Sequence, residues 1–357
     1  MPLKVGLVGT GAMGYAHLPA YLKFPNVVEL AAICDIKKDS VKRYAKASSV
    51  NTIYTDFEKM LKMEDLDAID ICTIHDQHKS QAILAAEAGM HILLEKPMAC
   101  SMRDCRYMVK ATEKAGITFM VAQVLRYLPS SQKVLELIKN EEIGSISAVQ
   151  ADSILKQSLI LPHDHWMFDG NRAGGGVLIT LSIHLLDLLR YFIGDVKQVS
   201  GICETIDPLF INGAEDFVSA TIKFKNGTIG NIFGSLSMGR TPWNVRYVIF
   251  GETGTIYSNP PSREFAHYQI GDVVISSKQL DSEGFTSQKG EFIPINQDLQ
   301  TLTGNNPFIN EVIHFVDCCQ NDTKPISSGV DNLNTMKIIF GIYESSKTNN
   351  TILLDNV

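Results

Sequence analysis

None of the seven cysteines in this 357-residue chain forms a Cys-x-x-Cys pair. Most sit inside apolar runs, which suits reduced, buried thiols better than a disulfide framework or a redox motif. The adjacent Cys318 and Cys319 read as two positions on one helix. The chain also lacks an excess of positive charge, with 39 Asp plus Glu against 32 Lys plus Arg and a net of -7. That balance argues against a nucleic-acid partner, which needs a basic patch, yet leaves room for a local basic pocket. Apolar stretches such as Val177–Ile183 are interrupted short of the roughly 20 residues that span a bilayer. No basic n-region, apolar h-region or twin arginine precedes Leu3-Lys4-Val5-Gly6-Leu7-Val8. The expectation is a cytoplasmic protein without a membrane partner. Internal repeats and long linkers are absent too.

What is present is a globular composition, 45% hydrophobic and 20% charged, in a chain long enough for about two domains. Up to about residue 125, short apolar runs alternate with helical stretches. Lys4–Val8, Val28–Cys34, Ala68–Ile74, His91–Leu94 and Thr118–Ala122 read as strands; Ala12–Leu22, Ser40–Ala47, Gln81–Ala88 and Met102–Ala115 read as helices. Gly89 and Gly116 stand where helix C-caps belong, and Ser101 with Asp104 makes an N-terminal cap. Runs apolar on both faces imply parallel strands covered by helices, hence a doubly wound α/β domain.

After a bridging helix at Ser130–Asn140 the pattern changes. Ile146–Ile154, Val196–Ile206, Asp216–Phe224, Thr228–Leu236, Val245–Phe250 and Phe265–Ile270 read as strands joined by turns, among them Lys225-Asn226-Gly227. Helices are expected at Val177–Phe192, Phe308–Gln320 and Asn332–Ser346. The second domain, residues 126–357 against 1–125 for the first, is therefore α+β with a large open, mainly antiparallel sheet. Its last helix, about 332–346, is left free to pack back near the first domain.

Three groups of residues carry chemistry. Gly9-Thr10-Gly11-Ala12-Met13-Gly14 follows a strand and opens a helix. Its glycines permit a tight turn, close approach of a pyrophosphate and close helix–strand packing, while the helix N-terminus presents free N–H groups. Asp35 ends the second strand about 20 residues on, where a carboxylate accepts hydrogen bonds from ribose hydroxyls and repels a 2′-phosphate. NAD is therefore preferred, although Lys37 and Lys38 leave NADP open. Glu95-Lys96-Pro97 ends a strand of the same sheet, on the edge where ligands of such sheets bind. There a lysine either hydrogen-bonds a substrate hydroxyl or is simply a solvated surface group.

The third group follows Gly174-Gly175-Gly176. At about 100° per residue, Thr180, His184, Asp187 and Tyr191 share an arc of about 60° on an otherwise apolar helix. Such a narrow polar stripe needs partners or a ligand, and Asp187 is placed to orient His184. The triple glycine allows the backbone to approach something closely.

Together these features resemble the Gfo/Idh/MocA family of pyridine-nucleotide dehydrogenases along the whole chain. The resemblance rests on the glycine fingerprint, strand-end Thr73 with His78, Glu95-Lys96-Pro97, the triple glycine with His184-x-x-Asp187, and Ser328-Gly329 before the closing helix. It implies a Rossmann domain holding the cofactor through Gly9, Thr10, Gly11, Ala12, Met13, Gly14, Asp35, Thr73, His78, Glu95 and Lys96. It further implies that Lys96 contacts the reacting hydroxyl and that His184 accepts or donates the proton. Many members hold aspartate where this chain has Thr180, and a proline and a small polar residue where it has Ile74 and His75. A neutral Thr180 cannot raise the basicity of His184 by charge.

The implied activity is hydride transfer between nicotinamide and a secondary alcohol of a cyclic polyol or sugar, free, phosphorylated or nucleotide-linked. Catalysis is assigned to Lys96, His184, Asp187 and Thr180, and substrate binding to Lys96, Arg126, Trp166 and His184. Trp166 offers a face to a sugar ring or belongs to the core, and His163 or Asp164 would bind hydroxyls. Arg126 and Arg172 are anion contacts or structural ion pairs. His163 and His165 with His184 and Asp187 hold possible metal ligands, but nothing fixes their geometry and no metal is expected. Two rivals remain: an NAD-dependent glycosidase using transient oxidation, and an inactive dinucleotide-binding regulator. The open sheet implies a homodimer or homotetramer.

Overall fold

The computed structural model describes residues 1–238, 244–258, 273–277, 292–294 and 306–357. Six parallel strands open the chain: β1 (Leu3–Val8), β2 (Val28–Cys34), β3 (Ile53–Tyr54), β4 (Ala68–Ile71), β5 (His91–Glu95) and β6 (Phe119–Ala122). They lie in the order β3-β2-β1-β4-β5-β6, the doubly wound arrangement whose order reverses between β1 and β4. Helices α1 (Ala12–Lys23), α2 (Lys38–Ser48), α3 (Phe57–Met63), α4 (His78–Glu87) and α5 (Met102–Ala115) connect them. Every residue of β4 and β6 is buried, as strands covered on both faces must be. Helix α5 starts where Ser101 Oγ accepts from the Asp104 amide at 3.1 Å, and Gly116 closes it at φ +67°.

Two elements here have no counterpart in the sequence pattern. Strand β3 is only two residues long, too short to show alternation, and α3 is capped by Asp56 accepting from the Lys59 amide at 3.0 Å. Strand β4 stops at Ile71, short of the expected Ile74, and α4 begins at His78 instead of Gln81 after a tight turn at His75–Gln77. Thr73 consequently lies on a loop beyond the strand end.

A second sheet follows α6 (Pro129–Lys139). It contains β7 (Ile146–Ile154), β8 (Val196–Glu204), β9 (Phe217–Phe224), β10 (Ile229–Ser235), β11 (Asn244–Gly251), β12 (Gly254–Ser258), β13 (Val273–Ser277), β14 (Phe292–Pro294) and β15 (Ile352–Leu353). Their order is β14-β13-β12-β11-β7-β10-β9-β8-β15. All neighbours are antiparallel except β7 and β10, which run parallel because the chain leaves β7 through a long helical excursion before it returns. The turn Lys225-Asn226-Gly227 joins β9 to β10, with Gly227 at φ +99°. The expected strand Phe265–Ile270 lies outside the described residues.

Between β7 and β8 come α7 (Gly170–Ala173), a π-helical stretch at Leu178–Ser182, and α8 (Ile183–Ile193). A π turn holds one more residue than an α turn, so Thr180 does not keep the α-helical phase with His184 that the 100° rule assumes. The run Gly170–Ile193 is also, contrary to the sequence expectation, long and apolar enough to cross a bilayer. Its most apolar window is 83% buried inside the protein, so packing within the fold accounts for the apolarity.

The chain closes with α9 (Pro307–Asn321) and α10 (Gly329–Thr348). Two compact units result: Met1–Val124 with Asn306–Met336, and Leu125–Asn305 with Lys337–Val357. The sequence division at residue 125 thus misses the return of 306–336 to the first unit. There the Val121 amide donates to the Ser327 carbonyl at 2.9 Å, so the returning chain adds to the β6 edge. Cys318 and Cys319 both lie on α9, and no cysteine is in a disulfide among the described residues.

Glu215 fastens the start of the helix that carries His184. Its Oε2 accepts from the Gly176 amide at 2.7 Å, and its Oε1 from the Leu178 amide at 2.8 Å and the Tyr343 hydroxyl at 3.0 Å. Burial outweighs these hydrogen bonds and lifts its pKa from 4.5 to about 7. The folded state therefore binds a proton that the unfolded chain has lost across this window, and stability from this group falls as pH rises from 4.5 to 7. In Glu215→Gln that fall, on the order of 3 kcal/mol, disappears. Urea unfolding at pH 5 and pH 7.5 will show a smaller difference in the variant than in the wild type; equal differences would refute the assignment.

Candidate functional site

In the first unit, β1 runs directly into the glycine turn. Gly9 has φ +96°, and a Cβ there would stand 2.5 Å from the Cys72 carbonyl, so only glycine lets the turn lie against the loop after β4. A Cβ on Gly14 would stand 2.5 Å from the Gly9 oxygen, closing the turn onto α1. At Gly11 the same Cβ would meet nothing within 4 Å. Gly11 caps α1 with no side-chain hydrogen bond, leaving the first helical amides of Ala12, Met13 and Gly14 to a ligand. Asp35 at the end of β2 accepts through Oδ2 from the Thr10 amide at 2.9 Å and hydroxyl at 2.8 Å, and through Oδ1 from the Lys37 amide at 2.8 Å. The carboxylate thus organises the turn. Half-exposed, it retains lone pairs for ribose hydroxyls. An open face at Gly11, uncapped amides and a strand-end carboxylate together fit a dinucleotide.

The neighbouring strand ends carry the other residues singled out in this unit. Thr73 donates its hydroxyl to Gln81 Oε1 at 2.6 Å. His78 is wholly buried, with Nδ1 2.8 Å from the Pro97 carbonyl and Nε2 3.1 Å from the Thr73 carbonyl. It lies between the loop after β4 and the turn after β5 and joins them. Burial lowers its pKa. Glu95 and Lys96 are both buried, the Lys96 amide donates to Glu95 Oε2 at 3.1 Å, and Lys96–Pro97 is a cis peptide. Burial lowers the Lys96 pKa against the pull of Glu95. A lysine so placed is not a solvated surface group.

Behind this turn lies a polar cluster that the sequence reading missed. His17 of α1 sets Nδ1 2.9 Å from Asp70 Oδ2, which also accepts from the Tyr21 hydroxyl at 2.7 Å. The Cys72 thiol donates to Asp70 Oδ1 at 3.3 Å. The signal was an aspartate at the centre of Ala68-Ile69-Asp70-Ile71, a strand otherwise apolar on both faces.

In the second unit, Arg126 and Asp187 form a bidentate pair, Nε to Oδ2 and Nη2 to Oδ1 at 2.6 Å each, with both side chains 1% exposed. The guanidinium also lies over the Tyr191 ring, 4.9 Å from its centroid. Asp187 meets Arg126 with both oxygens, so of the two readings left open for Arg126 the structure displays the ion pair. His184 is buried on α8. Thr180 returns its hydroxyl to the Gly176 carbonyl at 2.7 Å, within its own helix. The triple glycine approaches protein: a Cβ at Gly175 would strike Tyr343, and one at Gly176 the Glu215 backbone. Trp166 is half-buried beside His165, ring centroids 5.4 Å apart, while His163, Asp164 and Arg172 are exposed.

The description "Oxidoreductase family, NAD-binding Rossmann fold" matches residues 3–123, and that of the GFO/IDH/MocA C-terminal domain matches residues 131–257. Among curated relatives, the D-apiose dehydrogenase of Paraburkholderia graminis is 24% identical over 99% of this chain and 90% of its own. The levoglucosan dehydrogenase of Pseudarthrobacter phenanthrenivorans is 28% identical over 79% of each. A solved levoglucosan dehydrogenase with NADH and levoglucosan has the same fold, with a TM-score of 0.86 at 23% identity over 99% of this chain and 100% of that one. Two consecutive matches of one family, one on the nucleotide-binding unit and one on the sheet that follows, show that the chain belongs to the GFO/IDH/MocA oxidoreductases, its first domain being their NAD-binding Rossmann fold.

Proposed function

We propose that this protein is an NAD-dependent dehydrogenase acting on a secondary alcohol of a neutral sugar or cyclic polyol. The observation that carries the reading is Lys96, a buried cation at the carboxyl end of β5, in the same unit as the glycine turn and held beside Glu95. NAD, when bound, supplies the hydride acceptor. Lys96 then stabilises the oxygen as it gains alkoxide character, and its buried setting makes that charge count for more than in water. His184 takes the alcohol proton, the role its helix carries in the family, and its burial keeps bulk water from competing. Neutrality of the substrate is supported by Arg126, whose charge is already matched by Asp187. The relatives that act on apiose and levoglucosan point to the same class.

Reduction of NAD should appear as absorbance of reduced nicotinamide with at least one free sugar or inositol, and not with its phosphate. Lys96→Ala and His184→Ala should each lower kcat by about 10²–10⁴-fold while NAD still binds; full turnover in either variant overturns the mechanism. Replacing Asp35 by serine removes the charge that repels a 2′-phosphate. In that variant kcat/KM for NADP relative to NAD should rise by roughly tenfold or more, and an unchanged ratio would remove Asp35 from cofactor choice.

A further inference from the structure

We infer that His17 is a positioning residue for Lys96: from the buried side of α1 it holds the Glu95 carboxylate on which the charge of that lysine depends. The inference rests on the proposed role of Lys96 and adds a residue to it.

Both ring nitrogens of His17 face carboxylate oxygens. Nδ1 lies 2.9 Å from Asp70 Oδ2 and donates to it. Nε2 faces Glu95 Oε1 at 3.3 Å and Glu311 Oε2 at 3.9 Å. Acceptors on both sides of the ring in a site that water does not reach favour the imidazolium. Burial opposes the charge, yet Asp70 and Cys72 together lift the pKa of His17 well above its usual value. Tyr21 and Tyr44 complete the titratable groups around the ring, and both are driven far toward the neutral hydroxyl by burial.

That positive charge acts on Glu95, and Glu95 in turn on Lys96. One Glu95 oxygen faces His17; the other accepts from the Lys96 amide at 3.1 Å. Burial favours a neutral Lys96, with Glu95 opposing it, while burial also lowers the pKa of the neighbouring His78. Whatever cancels part of the Glu95 charge therefore lowers the proton affinity of Lys96. The helix that opens at the glycine fingerprint thus also sets the lysine at the end of β5.

The test is competitive acetylation of the full chain with trace acetic anhydride across pH, read on the Lys96 peptide by mass spectrometry. His17→Gln keeps an amide toward Glu95 but removes the charge, and should raise the Lys96 midpoint by roughly one unit, with the alkaline limb of turnover moving the same way. A midpoint that stays put in folded His17→Gln, or falls, overturns the inference. If His17→Gln fails to fold, His17→Asn, smaller and likewise uncharged, is read in its place, a raised midpoint supporting and an unmoved one refuting. Because labelling needs no substrate, a shift without dehydrogenase activity would refute the proposed function and leave the network standing.

Discussion

A parallel sheet covered on both faces has no place for charge except at its strand ends, and the arrangement of the first unit follows from that. Glycine turn, Asp35, Thr73 and Glu95-Lys96 all sit where a strand gives out at its carboxyl edge. The one charged residue within β4, Asp70, is tolerated because three donors converge on it: an imidazole, a phenol and a thiol. The second unit obeys the same rule with different groups. Arg126 is buried because Asp187 meets it through both oxygens, and Glu215 because a helix N-terminus and a tyrosine meet it. Removing one partner from such a pair costs about 3–5 kcal/mol, so these residues fix one another's positions.

Much of this was legible in the sequence. Alternating apolar runs and helices gave the doubly wound domain, and α5 and β2 fall where their caps and β-branched runs place them. The glycine fingerprint was readable because its three glycines have separate physical duties, two of which the close contacts of Gly9 and Gly14 display. The Lys225-Asn226-Gly227 turn was readable for a similar local reason.

What escaped was non-local. Nothing in the residues around Arg126 announces Asp187, sixty-one positions away, as its partner. Glu215 lies thirty-nine positions beyond Gly176, and only the folded chain shows that it caps that helix. The parallel contact of β7 with β10 and the return of residues 306–336 to the first unit depend on topology, which local periodicity does not encode. The place of His78 between two backbone carbonyls, Pro97 and Thr73, can be seen only once both loops are in place.

The π-helical stretch at Leu178–Ser182 bears on how this chain should be aligned with its relatives. A π turn is geometrically equivalent to one residue inserted into an α-helix. Where a relative runs through the same segment as plain α-helix, a gap-free alignment pairs side chains that point in different directions. Thr180 and the aspartate of other members then share a column without sharing a location. The appropriate comparison is of projected side-chain vectors, and on that basis the acid's counterpart is to be sought one step along the helix as well as at position 180.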